Sequence, residues 1–155
     1  MSRRKQIRMS EEEVAEFLSS HKTIVLNSIG VGGYPHPMPM WFTVADDGAI
    51  WMTTFRASQK VHNIRRDPRV SLLVESGEEY SELAGVVLYG NAEIVDDIDV
   101  VMRILLTASG APSGEAAAQP AVQEAMRKNA AKRVCLRLMP ERVVSWNHKK
   151  LAGVY

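Results

Sequence analysis

The sequence predicts a mainly antiparallel β fold, a barrel or sandwich with accessory helices. About six or seven short runs rich in β-branched residues are joined mostly by turn signals such as Ala45–Gly48. The regular strand–helix–strand alternation of a parallel sheet is missing. The 155 residues and 46% hydrophobic content suffice for one compact core. We therefore expect a single α+β domain over residues 1–155.

The first half of the chain predicts one helix and three strands. A helix is expected over 9–20, because Ser10 can cap it and Glu13 completes a capping box. Strands are expected over 23–30, 36–44 and 49–54. In the second of these, Pro37 and Pro39 lack N–H donors, which makes that strand a sheet edge or an irregular strand.

The second half predicts further strands with helices set between them. A short helix over 58–67 begins at Ser58 and ends at Asp67-Pro68. Gly90 lies inside a long apolar run and indicates a bulge or sharp bend. The other strands are expected over 69–75, 86–95, 133–140 and 141–146. The other helices are expected over 96–109 and 121–132, with a mobile loop at 110–120.

Composition argues against several classes of function. The formal net charge is +1, whereas a nucleic-acid-binding domain is expected to be basic. The single cysteine, Cys135, rules out an internal disulfide and a cysteine-based zinc cluster, and no His, Asp or Glu spacing is typical of a metal site. No apolar run approaches the roughly 20 residues that cross a bilayer. We expect a cytoplasmic protein without a metal or a membrane partner.

The stretch SQKVHNIRRDP, residues 58–68, gathers positive charge where a strand meets a helix. The first turn of a helix presents free N–H groups and the positive end of its dipole, so Ser58, Gln59 and Lys60 are typical of a phosphate site. Further candidates are two hydroxyls and one cation that precede the turn: Thr53, Thr54 and Arg56. A plain solvated helix explains the same charges, and no P-loop or dinucleotide fingerprint accompanies them.

Three motifs occur in order along the chain. The first is IWMTTFRASQKVHNIRRDPRVSLLVE (50–75), a strand ending in Thr, a Ser-x-Lys turn, a short helix and Asp-Pro before the next strand. The others are GVVLYGNAEIV (85–95) and PERVVSWNHKK (140–150). Together they resemble the flavin-binding split β-barrel superfamily of pyridoxamine 5′-phosphate oxidase. The resemblance extends from about Glu11 to Trp146 and is closest to the actinobacterial branch that uses the deazaflavin coenzyme F420.

The resemblance implies an antiparallel split β-barrel that forms a homodimer with cofactors at the subunit boundary. It assigns the cofactor phosphate to the turn 58–60 and the ring to the strand 37–42, with Trp146 reaching across the dimer. The expected cofactor-binding residues are Met38, Met40, Trp41, Thr53, Thr54, Ser58, Gln59, Lys60 and Trp146. Because alternate residues of a strand face opposite ways, Met40 and Trp41 cannot both face the ring.

Some positions depart from the pattern of true pyridoxamine phosphate oxidases. Pro37 and Phe42 stand where those enzymes have Arg and Lys, and Gly85 stands where Gln is expected. The C-terminal AGVY lacks their Arg- and His-rich substrate signature. We therefore expect an oxidoreductase that transfers a hydride between F420, or alternatively FMN, and a small conjugated or quinone-like substrate. The alternatives are a non-catalytic carrier of flavin, deazaflavin or haem and, disfavoured by the near-zero net charge, an RNA-binding barrel.

The residues alone do not identify a catalytic acid or base. His36 and His148 are candidate proton donors because an imidazole titrates near neutral pH. Apolar residues at Val86, Leu88 and Trp146 look exposed on a small barrel, and this favours a homodimer independently of the resemblance.

Overall fold

The computed structural model describes residues 3–109 and 119–151. The strands are β1 (Thr23–Ile29), β2 (Pro35–Trp41), β3 (Thr43–Val44), β4 (Ile50–Phe55), β5 (Arg69–Ser76), β6 (Ala84–Val95), β7 (Arg133–Leu138) and β8 (Arg142–Asn147). The α-helices are α1 (Arg3–Ile7), α2 (Glu11–Ser19), α3 (Gln59–Arg66), α4 (Ile98–Ser109) and α5 (Pro120–Ala130). Short 3₁₀ helices cover Val31–Gly33 and His148–Leu151.

The described strands pair antiparallel in one strongly curled sheet. Its order is β2-β1-β5-β6-β7-β4-β3, and β8 pairs with β6 away from this path. At one end of the order β2 approaches β4, the strand next to the other end, without forming a ladder with it in the described chain. A seam therefore remains open in the barrel, and the expected split β-barrel with accessory helices is confirmed.

Alternation along the strands builds the core inside the barrel. In β1, Ile24, Leu26 and Ser28 face inward, and the residues between them are more exposed. The same period gives each neighbouring strand an apolar inner face, which includes Ile50, Met52, Val70, Leu72, Val74, Val86, Leu88, Leu136 and Leu138. Val86 and Leu88 are thus covered within one chain, so their use as evidence for a dimer was wrong.

At Gly90, β6 lies close to the chain that leaves β7, and no bulge forms there. The pairing of β6 with β5 runs without interruption from Asn91 to Ala84. A Cβ at Gly90 would lie 2.8 Å from Leu138 Cδ1 and 2.9 Å from the Met139 carbonyl oxygen. The expected bulge is therefore absent from this ladder, the alternative of a sharp bend stays a prediction, and the glycine makes room for the chain that leaves β7.

A second apolar layer covers the outer face of β4 and β7. Helices α4 and α5 pack there around Val101, Ile104, Ala130 and Cys135. Burial raises the pKa of the Cys135 thiol to about 11. A buried thiol with a raised pKa is a poor nucleophile, which agrees with the expectation of an incidental cysteine.

Two helices, α2 and α4, begin with side-chain caps, whereas the predicted cap of α3 by the Ser58 side chain does not form. Ser10 and Glu13 form the reciprocal capping box of α2. At the start of α4, the Asp97 carboxylate accepts hydrogen bonds from the N–H groups of Asp99 and Val100. Helix α1 was not predicted, and it packs on β8 and the C-terminal 3₁₀ helix. Its five residues lack an amphipathic period long enough to be recognised.

Other boundaries differ from the prediction by a few residues at most. The expected strand over 36–44 is interrupted at Phe42, which separates β2 from β3. Most of the expected mobile loop, residues 110–118, lies outside the described residues, as does the C-terminal AGVY, residues 152–155. None of the helices in the two described ranges is long and apolar enough to cross a membrane.

Candidate functional site

The seam exposes strand edges that carry free backbone groups. In the described chain, β2 pairs with β1 only, and β3 pairs with β4 only at Ile50 and Trp51. The rest of that edge of β4, up to Phe55, faces the seam. Prolines at Pro35, Pro37 and Pro39 occupy alternate positions of β2, as expected of an edge strand. The predicted edge position of this strand is confirmed.

A cleft of about 610 Å³ lies along the seam, and we call it the seam cleft. One wall is formed by β2 and β4, and the other by the ends of α4 and α5 and the start of β7. The lining residues are Thr23, Pro39, Met40, Trp41, Thr53, Thr54, Phe55, Leu105, Ala108, Asn129 and Arg133. The cleft thus combines a largely apolar wall with a few polar side chains, as small-molecule sites do.

A buried ammonium lies next to the cleft. Lys60, in the first turn of α3, is only 9% exposed, and its Nζ donates a hydrogen bond to Thr54 Oγ1 at 3.1 Å. Thr54 Oγ1 lies 3.3 Å from Ser58 Oγ and also lines the cleft. Burial lowers the pKa of Lys60. In the described residues Lys60 has no carboxylate partner within 4.0 Å.

The start of α3 adds unpaired donors to this ammonium. Ser58 occupies the N-cap position, but its side chain does not cap the helix. The N–H groups of Gln59 and Lys60, in the first turn, have no intrahelical acceptor because no helical carbonyl precedes them. A buried cation without a counter-ion is costly, and an anion placed here would relieve that cost. The residues present therefore fit the anionic tail of a flavin or deazaflavin.

A second buried polar pair links α3 to β1. Asn63 Nδ2 donates to Ser28 Oγ at 3.0 Å, and Gln59 Nε2 donates to Asn63 Oδ1 at 2.9 Å. The buried polar side chains of the described residues are Ser28, Thr54, Lys60 and Asn63, and all four belong to these two pairs. Because polar groups in a core fix geometry, the pairs hold α3 in register against β1 and β4.

The structure brings most of the predicted site residues together. Met40, Trp41, Thr53 and Thr54 line the seam cleft, and Ser58 and Lys60 join them through Thr54. Three residues do not join this group: Met38, Gln59 and Trp146. Their use by a cofactor stays a prediction.

Trp146 lies on a different surface of the chain. Its ring packs on Gly85, where a Cβ would overlap the six-membered part of the indole. It lines a groove with Arg4, Arg142 and Val144. The departure at Gly85 thus has a local cause, since the indole occupies the space of a side chain there.

Arg56 does not point toward the predicted phosphate turn. Its guanidinium pairs with Asp96 and also donates to the carbonyl of Arg133 at 3.3 Å. The Asp96 carboxylate raises the pKa of Arg56 further above its ordinary value. The expectation that Arg56 helps to bind a phosphate was therefore wrong, because a partner 40 residues away in sequence engages it.

The two histidines considered as proton donors lie outside the seam cleft. His148 Nδ1 is 2.8 Å from the carbonyl oxygen of Tyr80. His36 faces inward on β2, and its Nδ1 is buried without a hydrogen-bond partner in the described structure. Neither residue lines the cleft, so a role in proton transfer stays a prediction.

Sequence reasoning missed the far wall of the cleft. Arg133 and Asn129 come from β7 and α5, and Leu105 and Ala108 come from α4. Their position depends on the pairing of Phe55 with Arg133 across β4 and β7. In residues 3–109 and 119–151, no three His, Cys, Asp or Glu side chains come together as a metal site.

The fold and the cleft at its seam define a split β-barrel of the kind that binds small-molecule cofactors. The chain belongs to the pyridoxamine 5′-phosphate oxidase family, whose sequence profile matches residues 10–147. No curated protein matches the sequence.

Solved structures show the same fold. A conserved hypothetical protein, Rv2991, from Mycobacterium tuberculosis is 37% identical, with a TM-score of 0.85 over 100% of this chain and 95% of that chain. An F420 reductase is 22% identical, with a TM-score of 0.56 over 78% of this chain and 87% of that one. HutZ, a haem storage protein from Vibrio cholerae, is 17% identical, with a TM-score of 0.58 over 87% and 94%.

Proposed function

We propose that the protein is an oxidoreductase that transfers a hydride between a deazaflavin or flavin and a small conjugated or quinone-like substrate. The observation that carries the proposal is the ammonium of Lys60, which is buried beside the seam cleft with a hydroxyl as its partner. A bound anion would offset the cost of burying that charge. Family membership supports a flavin-type cofactor as the source of the anion.

The side chains would share the work of holding such a cofactor. Lys60 and the first turn of α3 would bind its anionic tail, and Thr54 and Ser58 would orient the ammonium. Met40 and Thr53 would lie along the ring in the seam cleft. When bound, the ring supplies or accepts the hydride, and the protein supplies position and electrostatics. The apolar walls from α4 would keep water from the reacting face.

The phosphate turn suits a phosphate diester, as in F420, better than a phosphate monoester, as in FMN. F420 carries its phosphate as a diester with one negative charge, whereas a phosphate monoester such as FMN carries about two charges at neutral pH. Lys60 is the cation that we propose for this turn, since Arg56 pairs with Asp96. Pro37 and Phe42 stand where true pyridoxamine phosphate oxidases have cations. A site with one cation suits the singly charged diester.

A non-catalytic carrier is the second candidate. The fold is shared with HutZ, which stores haem, so the barrel itself does not require catalysis. The described seam cleft also contains no His, Asp or Glu that could act as an acid or base. Hydride transfer does not need such a group on the protein when the cofactor carries the chemistry. Turnover of the reduced coenzyme with a quinone would distinguish the enzyme from the carrier.

A homodimer with a shared site is part of the proposal. In β8, Val143 and Val144 are each about 40% exposed, and both line a groove with Trp146. A second copy covering this strip would bring Trp146 toward the cofactor of the other subunit. Light scattering should then give twice the chain mass, and a stable monomer that still binds coenzyme would contradict the shared site.

The cofactor is tested directly by titration. Purified protein is examined for flavin absorbance and then titrated with F420 and with FMN while fluorescence is followed. We expect F420 to bind more tightly, and Arg65→Ala, on the exposed face of the same helix, to leave that affinity unchanged. A protein that binds neither ring would refute the proposed function.

A further inference from the structure

Two arginines on the outer face of β7 have unlike surroundings. Arg133 and Arg137 are four residues apart and face the same way, and each lies over an aromatic ring of β4. The guanidinium carbon of Arg133 is 4.2 Å from the centroid of Phe55, and that of Arg137 is 5.8 Å from the centroid of Trp51. The pair thus provides an internal comparison.

The two side chains differ in their acidic partners. Arg137 forms ion pairs with Asp47 at 3.1 Å and with Glu93 at 3.6 Å. Arg133 has no carboxylate within 4.0 Å among residues 3–109 and 119–151. Its Nε instead donates to the neutral Asn129 Oδ1 at 3.1 Å. The charge of Arg133 is therefore oriented but not neutralised by the described chain.

The orientation of Arg133 leaves its outer nitrogens for a ligand. Phe55 holds the flat face of the guanidinium and Asn129 holds Nε, while the two Nη atoms have no acceptor in the described residues. Both Arg133 and Asn129 line the seam cleft. A guanidinium fixed in this way is prepared for an anion with two coplanar oxygens.

We propose that Arg133 selects planar substrates that carry an anionic group such as a carboxylate. This inference rests on the proposed function, because it takes the seam cleft as the substrate site. The apolar part of the ligand would contact Trp41, which is 62% exposed, and Phe55, which is 52% exposed. Exposed aromatic rings next to an unpaired arginine suit a conjugated body with a carboxylate at one end.

The Arg133 site is separate from the anion site at Lys60. Lys60 does not line the seam cleft and reaches it only through Thr54, on the inner face of β4. Arg133 lies on the outer face, opposite Phe55. The chain therefore has one buried cation for a cofactor tail and one cleft cation for a substrate.

The proposal is tested with 2-naphthoate and its neutral isostere 2-naphthamide. Calorimetric titration is done on the protein without coenzyme and on the protein saturated with F420. We expect wild type to prefer naphthoate by about tenfold, as one charge-assisted contact provides. Arg133→Gln should abolish that preference and leave F420 affinity unchanged. Arg137→Gln, away from the cleft, should retain the preference.

Failure of the Arg133 proposal and failure of the proposed function give different results in this experiment. The proposal would be overturned if wild type bound the two probes equally well. It would also be overturned if neither probe bound to the coenzyme-free or the F420-saturated protein, or if the preference for naphthoate survived Arg133→Gln. A fall in F420 affinity in Arg133→Gln would also overturn it, because Arg133 would then bind the coenzyme. Failure of wild type to bind any coenzyme would refute the proposed function, and the probe preference of the coenzyme-free protein would still report on Arg133.

Discussion

Replacing Lys60 by methionine distinguishes two effects of the buried ammonium, its cost to folding stability and its contribution to coenzyme binding. Methionine is unbranched and of similar length, so it can occupy the same space with little repacking. In the free protein the ammonium of Lys60 is largely shielded from water, and within the described ranges its side-chain acceptor is Thr54 Oγ1, 3.1 Å away. Lys60→Met should therefore stabilise the coenzyme-free protein and weaken coenzyme binding.

The two effects have sizes that can be measured. Replacing buried charges by apolar groups of similar volume stabilises proteins by about 1–4 kcal/mol, and we expect the lower part of that range because Thr54 satisfies one N–H. Loss of a charge-assisted hydrogen bond to the coenzyme should cost about 1.5–3 kcal/mol, roughly a 10- to 100-fold weaker Kd. Stability and affinity should thus change in opposite directions.

The pH dependence gives an independent check of the first effect. Burial lowers the pKa of Lys60 below its ordinary value of 10.5, so the folded protein loses this proton at a lower pH than the unfolded chain. Between the folded and unfolded pKa values of Lys60, the unfolded chain binds more protons than the folded protein. The free-energy cost of burying the ammonium therefore falls in this range as the pH rises. The stability gap between Lys60→Met and wild type should be widest near neutral pH and should close as the pH approaches 10.5.

Urea unfolding from pH 7 to pH 10 measures the gap, and fluorescence titration with F420 measures the affinity. Arg65→Met, on the exposed face of α3, controls for the removal of a cation from the same helix. A Lys60→Met protein that is less stable than wild type at pH 7, or that binds coenzyme as tightly, would refute the assignment of Lys60 as a buried anion-binding group.

Further predictions concern neighbouring residues. Thr54→Val removes the acceptor of Lys60 Nζ and should lower the unfolding free energy by about 1–3 kcal/mol. Urea unfolding should show that most of this loss disappears when Lys60→Met is also present. Fully additive effects of the two substitutions would contradict the contact. Gly85→Ala places a methyl group against the indole of Trp146 and should cost about 1–3 kcal/mol with a shift in tryptophan emission, both relieved by Trp146→Phe. The buried Cys135 thiol, with its pKa raised to about 11, should react with a thiol reagent at pH 8 only after urea unfolds the protein, and rapid labelling of native protein would contradict its burial.

Features that depend on near neighbours in sequence were predicted correctly. The capping box of α2 needs only Ser10 and Glu13, and the edge position of β2 follows from the missing N–H groups of its prolines. The Ser-x-Lys turn and the Thr at the preceding strand end were expected to lie together, and Lys60 Nζ does donate to Thr54 Oγ1; the burial of Lys60 was not predicted. Each of these involves a span of a few residues, over which chemistry dictates geometry.

Features that depend on distant pairing were missed or misassigned. Arg56 was considered a candidate for the phosphate site because its short-range sequence gives no sign of its partner. That partner, Asp96, lies in the segment between β6 and α4, 40 residues away. Val86 and Leu88 were taken as exposed because the pattern of β6 does not reveal that its inner face closes the barrel. Arg133 enters the cleft only through its register with Phe55. In an antiparallel sheet, such contacts depend on which strands pair and in which register.

The location of the charge explains how a nearly neutral chain can bind an anion. Exposed cations such as Arg65 act through water and are screened beyond about 8 Å at physiological ionic strength. Lys60 lies on the same helix but is shielded from water. A charge in such surroundings interacts more strongly with an ion of opposite sign, and leaving it without one costs more free energy. The anion affinity proposed for this turn would therefore arise from burial of one ammonium, and a net charge of +1 does not argue against it.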